Sequence, residues 1–184
     1  CMSELRVRFW GVRGSIASPG PATAGVGGNT SCVEVRCGDQ VLVLDAGTGM
    51  RALGAELMRQ GVCQLSLLLS HTHWDHIQGL PFFKPFLRPG ANVTLYAPVQ
   101  PGDITVADVF ADTIKPPLFP IHFSMFPGMV DIHEVGDDEF TLGDDVRVMT
   151  RLIPHVGHTV GYRVEWNGRS VVYMSDHQMP TDGS

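Results

Sequence analysis

The feature that most restricts the fold of this chain is a short apolar run, residues 65–69, that leads directly into HTHWDH at residues 71–76. A nearly continuous apolar run of this length is typical of a strand covered on both faces, as in α/β layer structures. Three histidines and one aspartate therefore follow the end of a buried strand. Imidazole and carboxylate groups are the ligands of zinc, manganese and iron in proteins. We predict a metal site at this end of the strand.

The spacing within the cluster predicts how the ligands divide. His71 and His73 are two residues apart, so on an extended backbone their side chains project to the same side and can share one metal ion. Asp75 and His76 follow where the chain turns into a helix, so they can face a second metal ion close by. The alternative is a surface loop that is rich in histidine and binds no metal.

The rest of the chain alternates strands with a few helices, which predicts an α/β fold in a single domain over residues 1–184. Residues 97–139 are rich in proline and phenylalanine without clear periodicity, and we interpret them as an irregular insertion or lid. Strands are predicted at residues 6–10, 31–36, 40–44, 65–69, 93–96, 146–153, 160–166 and 170–174, and helices at residues 50–59 and 77–83.

Charge and hydropathy restrict the partners. Thirteen basic residues against nineteen acidic ones give a net charge of −6, which disfavours a broad nucleic-acid surface because phosphate neutralisation needs clustered lysine and arginine. A small phosphate-containing substrate stays compatible with this charge, since bound metal ions supply positive charge. No apolar run approaches the length of a membrane span. We therefore expect a cytoplasmic protein that does not bind a membrane.

The metal cluster also carries a family resemblance. Residues 70–79, SHTHWDHIQG, resemble the HxHxDH signature of the metallo-β-lactamase superfamily. That resemblance implies an αββα sandwich. Five further segments resemble, in the same order, a bacterial branch related to ribonuclease Z and the cyclic-phosphate phosphodiesterases. They are residues 9–15, 27–31, 44–49, 155–162 and 173–176.

The resemblance implies a complete ligand set for two divalent metal ions. His71, His73 and His155 would hold the first ion, and Asp75, His76 and Asp176 the second, with Asp176 bridging the two. The sequence supports Asp176 independently, because it follows an apolar strand as the other ligands do. Zinc is the expected metal, with manganese or iron as alternatives.

The implied activity is that of a dinuclear metal-dependent hydrolase in which a hydroxide shared by the metals attacks the substrate and Asp75 orients it or accepts its proton. We expect a phosphodiesterase that acts on a small cyclic nucleotide or cyclic phosphate. Alternatives are ribonuclease Z-like RNA processing, lactam or thioester hydrolysis, and a non-catalytic metal-binding module. Pocket-wall candidates are Asn29, Thr30, Thr48 and His158, whose other interpretation is ordinary turn chemistry.

The chain departs from the family pattern at its end. Members of the superfamily continue past the bridging aspartate and supply a further histidine to the second metal, whereas this sequence stops at Ser184. We therefore expect that a C-terminal portion is missing, either through truncation or because a separate fragment or second subunit supplies it.

Overall fold

The computed structural model describes residues 4–179, which form two β-sheets and three α-helices. The strands are β1 (Leu5–Gly11), β2 (Cys32–Cys37), β3 (Gln40–Leu44), β4 (Gln64–Leu68), β5 (Asn92–Pro98), β6 (Met129–Val135), β7 (Glu139–Leu142), β8 (Val146–Leu152), β9 (Val160–Trp166) and β10 (Arg169–Tyr173). The helices are α1 (Gly49–Arg59), α2 (Trp74–Ile77) and α3 (Val106–Thr113). Short 3₁₀ turns lie at Pro21–Thr23, Leu80–Phe82, Lys84–Leu87 and Phe123–Met125. The predicted α/β class is confirmed.

The first sheet has six strands in the order β1-β2-β3-β4-β5-β6. Strands β3 to β6 run parallel to one another, and β1 and β2 are antiparallel additions at one edge. The second sheet is antiparallel, with the order β10-β9-β8-β7. Because β3 and β4 are parallel neighbours, the polar residues that follow them emerge at the same edge of the first sheet.

Alternating side chains of the first sheet face two different cores, which is why its strands are apolar on both sides. One face packs on the second sheet, through a core that includes Val35, Leu42, Leu44, Leu68, Val148, Val160, Tyr162 and Val164. The opposite face packs on α1 and α3, through Val41, Val43, Leu65, Leu67, Val93, Leu53, Leu57 and Phe110. The described residues therefore form helix, sheet and sheet layers in that order.

The predicted helix at residues 77–83 is wrong. Helix α2 ends at Ile77, and a separate 3₁₀ turn occupies Leu80–Phe82. Two residues explain the break. Pro81 lacks the N–H group that a continuing helix needs, and the N–H of Gly79 donates to the carbonyl oxygen of Ala46 at 2.8 Å instead of to a carbonyl oxygen of α2.

The interpretation of residues 97–139 as irregular is also wrong for much of its length. Helix α3 begins at a capping box formed by Thr105 and Asp108. Strand β6 pairs in parallel with β5 along its whole length and forms an edge of the first sheet. The phenylalanines of this segment pack inward, with Phe126 stacked on Phe86 at a ring-centroid distance of 6.0 Å. The segment therefore builds part of the core.

No helix within residues 4–179 has the length and apolar character needed to cross a membrane.

Candidate metal centre

The ends of three strands bring all six predicted ligand residues together. His71, His73, Asp75 and His76 follow β4, His155 follows β8, and Asp176 follows β10. They form two groups whose ligand atoms lie within 4.8 Å of one another: His71, His73, His155 and Asp176 in the first, and Asp75, His76 and Asp176 in the second. Asp176 belongs to both groups, at the position from which one carboxylate can bridge two ions.

The distances in the first group suit one metal ion. His73 Nδ1 lies 2.9 Å from His71 Nε2 and 3.2 Å from His155 Nε2. Asp176 Oδ2 lies 3.7 Å from the nitrogen of His71 and 3.8 Å from that of His155. Ligand atoms around a tetrahedral zinc ion are separated by about 3.4 Å, given zinc–nitrogen bonds of about 2.1 Å. These four atoms therefore have the spacing of one coordination sphere.

The second group contains a buried nitrogen without a partner. His76 Nε2 lies 3.5 Å from Asp75 Oδ2 and 3.4 Å from Asp176 Oδ2. Among the residues that the structure describes, this nitrogen makes no hydrogen bond although it is shielded from solvent. A buried polar atom without a partner is costly. A cation between His76 and the two carboxylates would remove that cost, so the residues fit a second metal ion.

The histidines are oriented from behind. His71 Nδ1 is 2.9 Å from the hydroxyl of Ser70, and His76 Nδ1 is 2.7 Å from Asp45 Oδ2. Each contact engages the ring nitrogen away from the centre and leaves Nε2 for a ligand. Such outer contacts fix the tautomer and the ring direction of metal-binding histidines.

Asp45 is a residue of the candidate centre that our sequence analysis missed as an individual position. It is completely buried, and its carboxylate accepts hydrogen bonds from the main-chain N–H and the hydroxyl of Ser70, at 2.7 and 2.8 Å. The hydroxyl of Tyr173 donates a further bond at 2.7 Å. Asp45 directly follows β3, beside the strand that ends in the histidine cluster, and this shared sheet edge was the available signal.

Burial and charge act in opposite directions on these groups. Burial tends to raise the pKa of Asp45, but the hydrogen bonds from His76, Ser70 and Tyr173 outweigh it, and the pKa lies below its ordinary value. Burial tends to lower the pKa of His76, and Asp45 together with the carboxylates of the centre raises it to about 8. For His71, burial and the neighbouring His76 lower the pKa to about 4. The carboxylates of Asp45, Asp75 and Asp176 thus favour positive charge beside His76, which a bound cation would supply.

A long loop between β1 and β2 reaches the centre through its backbone. The N–H of Ser15 donates to Asp75 Oδ2 at 2.7 Å, and Ser15 has a φ of 67°. Gly47, in the loop after β3, is equally constrained, because a Cβ there would lie 2.3 Å from the hydroxyl of Thr30 and 2.5 Å from the carbonyl oxygen of Asp75. The glycine-rich segments therefore let several backbones converge behind Asp75.

Three of the proposed pocket-wall residues bond to one another, and the fourth, His158, lies apart from them. Thr30 is completely buried, and it exchanges reciprocal bonds of 2.8 Å with Thr48, each hydroxyl accepting from the other residue's N–H. Asn29 Oδ1 accepts from the Thr48 hydroxyl at 3.2 Å. The expectation that Thr30 faces a substrate is therefore wrong. Its hydroxyl instead bonds the loop before β2 to Thr48, the residue that precedes α1. His158 is exposed and lies 2.8 Å from the carbonyl oxygen of Val99.

The centre opens to solvent on one side. His73 and the adjacent Trp74 are exposed, and the side chain of Asp176 is 33% exposed, whereas Asp75 and His76 are buried. A ligand can thus approach the first group and the shared carboxylate, while the second group lies deeper.

Comparisons with known proteins show the family of the chain. The family model described as "Beta-lactamase superfamily domain" matches residues 40–182. Ribonuclease Z of Mycolicibacterium gilvum (strain PYR-GCK) is 31% identical over 154 residues, which cover 77% of this chain and 53% of that protein. The chain spans about half the length of the curated relatives it matches.

Solved structures share the fold. The metallo-beta-lactamase fold protein YhfI from Bacillus subtilis superimposes with a TM-score of 0.68 at 18% identity, covering 96% of this chain and 64% of YhfI. The Zn²⁺-bound PqqB from Methylobacterium extorquens gives a TM-score of 0.56 at 20% identity, covering 91% of this chain and 61% of PqqB.

Proposed function

Because the chain belongs to the beta-lactamase superfamily domain family, we propose that it is a metal-dependent phosphodiesterase that acts on a small cyclic nucleotide or cyclic phosphate. The observation that carries the proposal is the carboxylate of Asp176, which two ligand groups share, beside the unpartnered buried nitrogen of His76. We assign two divalent metal ions to these groups. Zinc is our choice because the ligands are mainly imidazoles and because the similar PqqB structure is Zn²⁺-bound.

The two ligand groups have different proposed roles. Bound at these positions, two divalent cations would lower the pKa of water and polarise the phosphoryl group. His71, His73 and His155 would hold one ion, and the exposed His73 places that ion on the side from which a substrate enters. Asp75 positions the attacking water and accepts its proton. The hydrogen bond that the Ser15 N–H donates to Asp75 fixes the direction of that carboxylate.

Two observations support a small phosphodiester. The relative in Mycolicibacterium gilvum is named ribonuclease Z, and ribonucleases cleave phosphodiester bonds. The net charge of −6 favours a substrate smaller than an RNA duplex, because the chain has few cations to neutralise a phosphate backbone. Ribonuclease Z-like RNA processing is the second candidate, and the same relative favours it.

The second group offers three protein ligands where zinc usually takes four. We propose that a group from outside the described residues, on a separate fragment or a second subunit, or a water molecule, completes this site. A metal titration that yields one tight and one weak zinc site for the chain alone agrees with this, and two equally tight sites contradict it.

Hydrolysis of bis(p-nitrophenyl) phosphate by the zinc-loaded protein tests the activity. We expect turnover that requires metal and is lost in His73→Ala, which removes one ligand of the first group. His133→Ala is the matched control, since His133 is an exposed histidine on β6 that pairs with Asp131. The control should keep the turnover of the unsubstituted protein.

The remaining outcomes select among the alternatives. Zinc binding without turnover of any phosphodiester, lactam or thioester would identify a non-catalytic metal-binding module. Cleavage of a transfer-RNA precursor with no action on cyclic nucleotides would favour the ribonuclease Z-like activity. Activity in manganese or iron that exceeds the activity in zinc would overturn the choice of metal alone.

A further inference from the structure

Trp74 is a large exposed side chain placed between two proposed ligands. Its neighbours along the chain are His73 and Asp75, whose Cα atoms lie about 3.8 Å from its own across trans peptides. Trp74 is 58% exposed, whereas Asp75 is 8% exposed and His76 is fully buried. Trp74 therefore adjoins the centre along the chain and, like His73, has much of its side chain open to solvent.

The other two tryptophans of the chain are engaged within the fold. Trp10 Nε1 donates to Glu34 Oε2 at 2.9 Å, and Trp166 Nε1 donates to Asp145 Oδ2 at 2.8 Å. The indole N–H of Trp74 makes no hydrogen bond to any residue between 4 and 179. Tryptophan is the side chain that gains most from covering its ring faces, so an indole left open beside a metal centre is available to a ligand.

The loop after β5 contacts both segments that carry ligands of the first group. Thr72, between His71 and His73, donates its hydroxyl to Gln100 Oε1 at 3.2 Å. His158, three residues after His155, contacts the carbonyl oxygen of Val99 at 2.8 Å. The loop after β5 is thus tied to both ligand segments and forms one wall.

Exposed apolar side chains lie next to the proposed metal ligands along the chain. Val156, next to His155, is 66% exposed, so both ligand segments of the first group carry an exposed apolar side chain directly beside a histidine. Binding sites for small molecules typically combine a few polar groups with apolar or aromatic walls. The polar groups here suit a phosphate, and the indole suits a flat, uncharged part of the same molecule.

We propose that Trp74 is a specificity-determining residue that stacks on the nucleobase of the substrate while the phosphodiester lies at the ligand groups. The inference rests on the proposed phosphodiesterase function and narrows its substrate class to nucleotides. Stacking on an indole tolerates any base because each base has a π-face. The site therefore selects a nucleotide over a cyclic phosphate without a base, and it discriminates little among the four bases.

The kinetic test compares two chromogenic esters with the same leaving group, thymidine 5′-(p-nitrophenyl phosphate) and methyl p-nitrophenyl phosphate, in the zinc-loaded protein. In Trp74→Ala we expect KM for the thymidine ester to rise by roughly 10-fold, within the range of one base–aromatic stack. The value of kcat should change little, because the stack is present in both the ground state and the transition state. KM for the methyl ester should stay unchanged, and Trp74→Phe should restore most of the affinity for the thymidine ester.

A binding measurement separates this inference from the proposed activity. Calorimetric titration with thymidine 5′-monophosphate and with inorganic phosphate needs no turnover. Trp74→Ala should weaken the nucleotide by roughly 10-fold and leave phosphate unaffected. Trp166→Phe, which alters an indole at the distant β9–β10 hairpin, is the matched control and should change neither ligand.

Each outcome decides between the two claims. Nucleotide binding that depends on Trp74 without any turnover would contradict the phosphodiesterase and keep the stacking. Turnover of both esters with no effect of Trp74→Ala would keep the phosphodiesterase and overturn the stacking. Equal losses for thymidine and methyl esters, or for nucleotide and phosphate, would also overturn it, because they indicate disturbance of the metal ligands. A long-chain alkyl ester that depends on Trp74 as strongly as the thymidine ester would overturn the assignment to a nucleobase.

Discussion

At the scale of single residues, Asp45 organises the deeper half of the centre. Its carboxylate is buried and accepts from Ser70, His76 and Tyr173 at 2.7–2.8 Å. A buried carboxylate without such donors would carry a large desolvation cost. With them, it stays ionised and holds the ring of His76 with Nε2 directed to the shared carboxylate of Asp176.

Substitution Asp45→Asn isolates this role. Asparagine tolerates the left-handed backbone that Asp45 adopts, with a φ of 60°, so the substitution leaves the backbone unstrained while it removes the charge and replaces one acceptor oxygen by a donor amide group. We expect zinc affinity at the His76 group to fall by roughly 10–100-fold, as for other outer contacts of metal ligands. Competition with a chromogenic chelator measures this fall. Asp39→Asn, on the exposed β2–β3 hairpin, should leave both affinities unchanged, and equal affinities in both variants would refute the role of Asp45.

At the scale of elements, the short helix α2 is held by contacts of its backbone with the loop after β3. The N–H of Ala46 donates to the carbonyl oxygen of His76 at 2.8 Å, and the N–H of Gly79 donates to that of Ala46 at 2.8 Å. These two bonds fix Asp75 and His76 against the end of β3. A helix of four residues has little stability of its own, so this docking determines its position.

Gly79→Ala tests that docking. The added Cβ would lie 2.1 Å from the carbonyl oxygen of Gly47, and only a backbone shift relieves such a contact. We expect the free energy of unfolding to fall by about 1–3 kcal/mol, the usual cost of overpacking, and zinc affinity to fall with it. Gly25→Ala is the control, because a Cβ there meets nothing within 4 Å. Urea unfolding measures both, and equal stabilities would contradict the tight contact.

Particular elements show what the sequence could and could not predict. The β2–β3 hairpin and the apolar strand β4 followed from local patterns, because alternation, turn residues and an apolar run are properties of adjacent residues. The pairing of β6 with β5 did not, since an edge strand after a proline-rich stretch is recognisable only through its partner. The cluster at residues 71–76 was evident for the same local reason, whereas the roles of Asp45 and Ser15 arise from contacts between distant segments.

At the scale of the whole molecule, the centre lies where the two sheets meet. Four of its proposed ligands follow the first sheet, and His155 and Asp176 follow strands of the second. Tyr162, fully buried on β9, donates its hydroxyl to the carbonyl oxygen of Leu69 at 2.8 Å, two residues before His71. This bond and the shared apolar core set the relative position of the sheets, and through it the ligand distances.

Metal binding should therefore stabilise the entire fold. At a zinc concentration about 100 times the dissociation constant, the free energy of unfolding should increase by about 2.7 kcal/mol. For a chain of this size, that corresponds to a rise in Tm of roughly 5–10 °C, which chelation should reverse. Differential scanning calorimetry of the protein, of His73→Ala and of His133→Ala provides the measurement. The rise should fall markedly in the first variant, which keeps only the weaker His76 group intact, and persist in the second, and an equal rise in both would place the zinc elsewhere.

The separation of the ligands along the chain has a consequence for how the protein acquires its metal. His73 and His155 lie 3.2 Å apart in space although they are 82 positions apart in sequence. A single ion that joins them would close a loop as long as many disulfide loops, and it would restrict the unfolded chain in the same way. In the unfolded polypeptide, residues 71–76 are not held near His155 and Asp176, so no single ion meets the complete ligand group. We therefore expect the metal ion to bind after the two sheets have packed together. A metal-bound chain is then a folded chain.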